Sequence, residues 1–173
     1  MHNASASVAK ENTAFLPVIA NGRDIIIMNQ EELAALLPHK GNALVLDSVI
    51  ICPSRATASG SLELSHSRSY LFEGHEWAMP GHWLSEFANI TAACLVAKLY
   101  GIEFDKRRGV LATHNCSDFL SPVRLGDWIT CEATLIECDS RRALLQATIK
   151  NQNEVVVAKI DSIRGAILGA KKQ

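Results

Sequence analysis

The hydrophobic pattern is densest between residues 87 and 97, where apolar side chains surround the helical axis and no residue is charged. A helix that is apolar on every side is a buried helix. The pattern therefore predicts a long central helix that is entered at residues 79–81, and the run is too short and too polar at its start to span a bilayer. Glu86 is the only acidic residue between Glu76 and Glu103. A carboxylate there costs free energy unless it is paired, hydrogen-bonded or protonated, so Glu86 is the first candidate functional residue.

The chain before this helix predicts one short helix and three strands. Asn29 is a good N-cap, with Glu32 at the capping-box position, and Pro38 ends the predicted helix. Strands are predicted where apolar and β-branched residues accumulate, in the stretches 24–28, 43–52 and 55–64. Residues 1–22 show no period and predict an N-terminal tail, and residues 23–173 predict a single domain.

After Gly101 the apolar residues recur with a period of two, which indicates strands. The predicted strands cover the stretches 108–120, 128–137, 143–149 and 154–168. The links between the last three are short enough only for antiparallel hairpins. The order of elements predicts an α+β architecture, in which a curved antiparallel sheet wraps around one long central helix. A second subunit is the simplest cover for the remaining side of that helix.

Composition excludes several classes of function. A formal net charge of −1 argues against nucleic acid as a partner. The five cysteines are odd in number and form no CxxC pair, which favours a reducing, cytoplasmic compartment over a zinc or disulfide framework. The N-terminus lacks the basic start and apolar core of a signal peptide. No group of His, Cys, Asp or Glu has metal-ligand spacing, so we expect no bound metal. Because the apolar run is too short to span a bilayer, we also expect no membrane partner.

Three motifs lie in order on the predicted elements. They are LLPH followed by LVLD (36–39 and 44–47), GH followed by MPG and Glu86 (74–75 and 79–81), and Phe119 followed by PV and GD (122–123 and 126–127). From about Ile25 to Leu168 the chain resembles the hotdog-fold (3R)-hydroxyacyl-[acyl carrier protein] dehydratases of bacterial fatty-acid synthesis. The connection between His75 and Met79 is about three residues shorter than in that family and lacks its prolines. This departure indicates a specialised or divergent dehydratase.

The resemblance implies the reversible loss of water from a 3-hydroxyacyl thioester, which gives a trans-2-enoyl thioester without metal or organic cofactor. It implies that His75 acts at C2 and that Glu86 handles the departing hydroxyl, with the two residues supplied by different subunits. Gly81 would donate its N–H to the thioester oxygen, and Met79, Pro80 and His82 would complete the substrate-binding turn. The implied partners are acyl carrier protein and further copies of the chain, as a homodimer or a trimer of dimers.

The chemistry of these residue types agrees with the implied roles. A neutral imidazole is the natural base for an α-proton. Desolvation on an apolar helix raises the pKa of a glutamic acid, which can then hold a proton near pH 7. His82 is a second candidate for the base, whereas His39 and His114 are interpreted as structural. Arg107, Arg108 and Arg124 are predicted to contact the acidic carrier protein.

Two other functions stay open at this stage. One is a thioesterase on the same fold, in which Glu86 activates a water molecule. The other is a non-catalytic acyl-binding or assembly subunit, which the missing prolines favour. The sequence does not distinguish acyl carrier protein from coenzyme A as the carrier of the acyl group, and it does not give the chain length.

Overall fold

The computed structural model describes residues 25–75, 77–102, 104, 110–114, 117–139 and 142–167. The predicted N-terminal tail lies outside these residues. The helices are α1 (Gln30–Leu36) and α2 (Gly81–Tyr100), with 3-10 turns at Gly41–Ala43, Pro53–Arg55 and His66–Phe72. The strands are β1 (Ile26–Met28), β2 (Ser48–Cys52), β3 (Thr57–Glu63), β4 (Val110–His114), β5 (Ser117–Phe119), β6 (Trp128–Cys138), β7 (Arg142–Asn151) and β8 (Val156–Ile167).

The described strands form one sheet in the order β1-β2-β3-β6-β7-β8-β4, and β5 also pairs with β8. Every pairing is antiparallel. Helix α2 packs against β2, β3, β6, β7 and β8. The predicted α+β architecture, a curved antiparallel sheet around one long helix, is confirmed.

Three predicted boundaries differ from the structure. The strand predicted over 43–52 begins only at Ser48, because residues 44–46 are all buried and do not alternate between two faces of a sheet. The strand predicted over 108–120 is divided into β4 and β5, which pair with different parts of β8. Pro80 is the N-cap of α2, with extended backbone, so the first helical residue is Gly81.

The start of α1 matches its predicted capping. The side-chain Oδ1 of Asn29 accepts from the backbone N–H of Glu32 at 3.0 Å, and the Asn29 N–H donates to Oε2 of Glu32 at 2.9 Å. At the other end, Nζ of Lys40 donates to the carbonyl oxygen of Leu37 at 3.0 Å and to that of Ala34. These bonds tie the turn that contains His39 to the end of α1.

Helix α2 is buried on most of its surface but not on all of it. In the described chain its partly or fully exposed residues include His82, Glu86, Asn89 and Ala93. Their spacing of four, three and four residues places them on one stripe of the helix, which we call the open stripe. The single chain therefore leaves one side of the helix open, and its cover by a second subunit stays a prediction.

A glycine sets the distance between α2 and the sheet. A Cβ atom built on Gly60 of β3 would lie 2.4 Å from Oγ1 of Thr91 and 2.8 Å from Cδ1 of Leu46. Thr91 is itself held in place, because its hydroxyl donates to the carbonyl oxygen of Phe87 at 2.9 Å. The helix therefore approaches β3 more closely than any residue with a side chain at position 60 would allow.

We expect Gly60→Ala to lower the free energy of unfolding by about 1–3 kcal/mol, the usual cost of overpacking a core. Denaturant unfolding measures the change. Ser59→Ala is the matched control, because Ser59 is the exposed neighbour on the other face of β3. Equal stability of the two variants would show that the close approach does not depend on the glycine.

Candidate active site

Two titratable side chains meet at the open stripe of α2. Nε2 of His39 lies 3.3 Å from Oε1 of Glu86, and 31% and 36% of the two side chains are exposed. A carboxylate beside an imidazole is suited to proton transfer near neutral pH. Because both side chains are partly exposed, a ligand can reach them without unfolding the surrounding structure.

His39 is held by the segment that follows α1. Leu37 is buried, and Lys40 binds the carbonyl groups at the end of the helix. Nδ1 of His39 is buried and has no hydrogen-bond partner among the described residues. The imidazole is therefore fixed with one nitrogen enclosed by protein and the other directed at Glu86.

Glu86 is held by the packing of α2. The neighbouring Leu84 and Phe87 are buried in the core. The segment that leads into the helix is fixed by Met79, whose N–H donates to the carbonyl oxygen of Val123 at 2.8 Å. The predicted substrate-binding residues Met79, Pro80 and Gly81 thus precede the helix that carries Glu86, and their binding role stays a prediction.

An aromatic ring lies against the first turn of α2. A Cβ atom on Gly81 would be 2.8 Å from the ring of Phe119, which is half exposed. The first N–H groups of a helix have no partner within the helix. Glycine at position 81 therefore lets the ring of Phe119 pack directly against the backbone of this turn, and the predicted donor role of Gly81 stays a prediction.

The other two candidate histidines lie before and at the start of α2. His75 is exposed, its N–H donates to the carbonyl oxygen of Phe72 at 2.7 Å, and its imidazole makes no hydrogen bond or ion pair with any described residue. His82 is exposed on the open stripe, with its ring 5.1 Å from that of Trp83. Their catalytic roles stay predictions. The contact between His39 and Glu86 was not predicted from the sequence, although His39 belongs to the LLPH motif.

The acidic residues of the other two motifs have structural partners. Asp47 accepts from the backbone N–H of Glu63 at 2.8 Å and pairs with Arg68. Asp127 accepts from the N–H of Arg124 at 2.7 Å and from Nε2 of Gln152 at 2.8 Å. These two carboxylates hold turns and strands together, which explains their place in the motifs.

Two of the cysteines are buried inside the fold. Burial raises the pKa of Cys94 and Cys131 to about 12, so both thiols stay protonated at neutral pH and are poor nucleophiles. No group of three His, Cys, Asp or Glu side chains within the described ranges could hold a metal ion.

Among the predicted carrier contacts, Arg124 is exposed, whereas Arg107 and Arg108 lie outside the described residues. None of the described helices is both long and apolar enough to cross a membrane.

Comparison with protein families matches residues 83–158 to the thioesterase superfamily. The matched segment is less than half of the chain; it includes Glu86 and excludes His39 and His75. Comparison with curated proteins finds no match.

Several solved structures are similar to the chain. A homologue of HP0420 from Helicobacter felis shares 14% identity, covering 82% of this chain and 91% of its own, with a TM-score of 0.61. A hypothetical thioesterase with coenzyme A from Streptococcus pneumoniae TIGR4 shares 14%, covering 68% and 83%, with a TM-score of 0.53. The protein smu.793 from Streptococcus mutans UA159, bound to acetyl-CoA, shares 15%, covering 68% and 86%, with a TM-score of 0.51. At this level of identity the likeness concerns the fold, and the chain has the hotdog fold.

Proposed function

We propose that this protein is an enzyme that acts on an acyl thioester and that Glu86, with His39 beside it, takes part in its proton transfers. The observation that carries the proposal is the 3.3 Å contact between these two partly exposed side chains. The comparisons support the substrate class, because one similar structure contains coenzyme A and another contains acetyl-CoA. Both ligands belong to the thioester chemistry that the sequence motifs predict.

Hydrolysis of the thioester is the first candidate reaction, because the matched superfamily and the pneumococcal protein are both named for thioesterases. In this reaction the Glu86 carboxylate takes a proton from water, and the water oxygen bonds to the thioester carbonyl carbon. The carbon–sulfur bond then breaks, and the departing thiolate receives the proton from Glu86. The imidazole of His39 orients the carboxylate and stabilises its charged form when protonated.

Dehydration of a 3-hydroxyacyl thioester is the second candidate, favoured by the pairing of an imidazole with a carboxyl group beside the MPG segment. Here a histidine takes the C2 proton, protonated Glu86 gives its proton to the 3-hydroxyl, and water leaves as the C2–C3 double bond forms. His39 of the same chain is one candidate for this base. His75, which the resemblance places in the site from a second subunit, is the other.

Product analysis with butyryl-CoA and 3-hydroxybutyryl-CoA tests both reactions. Hydrolysis releases free thiol from both compounds, whereas dehydration converts only the second, to an enoyl thioester that is one water lighter. Glu86→Gln should lower the rate of either reaction about 100-fold or more. Its melting temperature should stay close to that of the wild type, because the side chain is more than a third exposed.

Glu132→Gln is the matched control, since Glu132 is exposed on β6. The substitutions His39→Gln, His75→Gln and His82→Gln, compared under the same conditions, identify the histidine that takes part. Full activity of the Glu86→Gln protein would contradict the proposal.

We also propose that the working form is at least a dimer. Several large apolar side chains are exposed in the single chain. They include Trp77 (72%) in the segment before α2, and Phe119 (50%) and Leu120 (55%) at and just after the end of β5. Large exposed apolar side chains are typical of an interface between subunits. Light scattering at micromolar concentration should therefore give the mass of a dimer or a multiple of it, and a stable monomer would contradict this expectation.

Arg124 provides a test of the carrier. It is exposed in the turn before β6, and we propose that it attracts an acidic acyl carrier protein. Arg124→Glu should then reduce turnover of the carrier-bound substrate about tenfold through slower association and leave a small thioester unaffected. Arg55→Glu, exposed in the turn between β2 and β3, is the control. Equal loss on both substrates would assign Arg124 to the fold instead.

A further inference from the structure

Asn89 lies one turn beyond Glu86 on the open stripe, and its side-chain oxygen has no hydrogen-bond partner among the described residues. Oδ1 of Asn89 is buried, and no described residue donates a hydrogen bond to it. An unpaired buried acceptor costs free energy, and native structures contain few of them. An apolar residue would fill the same place in this helix without that cost. The polar side chain at position 89 is therefore explained best by a donor that the described chain does not supply.

The geometry of α2 indicates where that donor lies. Residues three positions apart on a helix have their Cβ atoms about 5–6 Å apart. A small group bound at the Glu86 carboxylate is therefore within reach of the Asn89 amide. Asn89 as a whole is only partly buried. A group that arrives at the open stripe therefore meets the exposed part of this side chain, next to its amide.

His39, which contacts the same carboxylate, also has a buried atom without a partner among the described residues. Its Nε2 contacts Glu86, and its Nδ1 is buried and unpaired among the described residues. Two of the three buried side-chain atoms without a partner among the described residues thus belong to His39 and Asn89, and the third is Oγ of Ser162. Elsewhere the described carboxylates of Asp47 and Asp127 accept hydrogen bonds from backbone and side-chain donors. The unpaired polar atoms beside Glu86 are typical of a place that a ligand completes.

We propose that Asn89 is a third residue of the site and that its amide oxygen accepts a hydrogen bond from the O–H group on which Glu86 acts. This inference rests on the proposed function. In hydrolysis the O–H group belongs to the attacking water, which gives one hydrogen to the Asn89 hydrogen bond and the other to Glu86. In dehydration it belongs to the 3-hydroxyl of the substrate, which keeps its hydrogen bond to Asn89 while Glu86 protonates the oxygen. Asn89 forms no covalent bond in either reaction and positions the oxygen.

Asn89→Leu tests the inference, because leucine is similar in size and cannot accept a hydrogen bond. We expect kcat to fall about 10- to 100-fold, the scale of a misplaced reacting atom, with KM little changed. The melting temperature should stay the same or rise, because the variant removes an unpaired buried atom. Asn89→Asp retains an acceptor oxygen and should recover part of the lost rate.

Two substrates identify the source of the O–H group. If it is water, Asn89→Leu should slow thiol release from butyryl-CoA and from 3-hydroxybutyryl-CoA alike. If it is the substrate hydroxyl, the variant should slow enoyl formation from 3-hydroxybutyryl-CoA. Asn153→Leu, the same change at an exposed position in the turn between β7 and β8, is the control and should retain full activity.

The outcomes separate this inference from the proposed function. Wild-type rates in Asn89→Leu, together with an inactive Glu86→Gln, would overturn the role of Asn89 alone. An active Glu86→Gln, or a wild-type protein that converts neither thioester, would overturn the proposed function and this inference with it. A lower melting temperature or loss of the dimer in Asn89→Leu, with normal kcat for the folded fraction, would show that Asn89 pairs with a second copy of the chain.

Discussion

The close approach of α2 to β3 is the constraint on which the rest of the structure depends. Contact at Gly60 and Thr91 brings the helix down onto the concave side of the sheet, where Phe87 and Leu95 are fully buried. Burial of these side chains fixes the rotation of the helix about its own axis, because residues on one face of a helix cannot be buried without directing the opposite face outward. The open stripe, and Glu86 with it, is the outward face that this packing leaves.

The contact between His39 and Glu86 depends on two elements that are anchored independently. Glu86 is placed by α2 and by the backbone bond between Met79 and Val123. His39 is placed by the turn after α1, which Lys40 holds to the end of that helix. A polar contact made by two separately anchored residues loses little side-chain entropy when a ligand binds, because both side chains are already ordered. Such preorganisation is what a site for proton transfer needs.

The sequence predicted the elements whose signals are local. The capping box of α1, the long apolar helix and the period-two strands β6 and β7 all follow from neighbouring residues, and the structure has each of them. Boundaries failed where tertiary packing overrides the local pattern, as at residues 44–46, whose side chains are all buried without forming a strand. The contact between Glu86 and His39 was not predicted, for the same reason. His39 and Glu86 lie far apart in the chain, and no local period reports that the turn after α1 reaches α2.

The hotdog fold by itself does not select a reaction, since a fold supports many chemistries and the site decides among them. The acidic residues of the three motifs differ in the groups that they contact. Asp47 and Asp127 accept hydrogen bonds from backbone N–H groups and from other side chains, so they hold parts of the fold together. Glu86 instead contacts the imidazole of His39, and both side chains are partly exposed. This pairing of a carboxyl group with an imidazole, within reach of a ligand, is the physical reason for our proposal that the chemistry lies at Glu86.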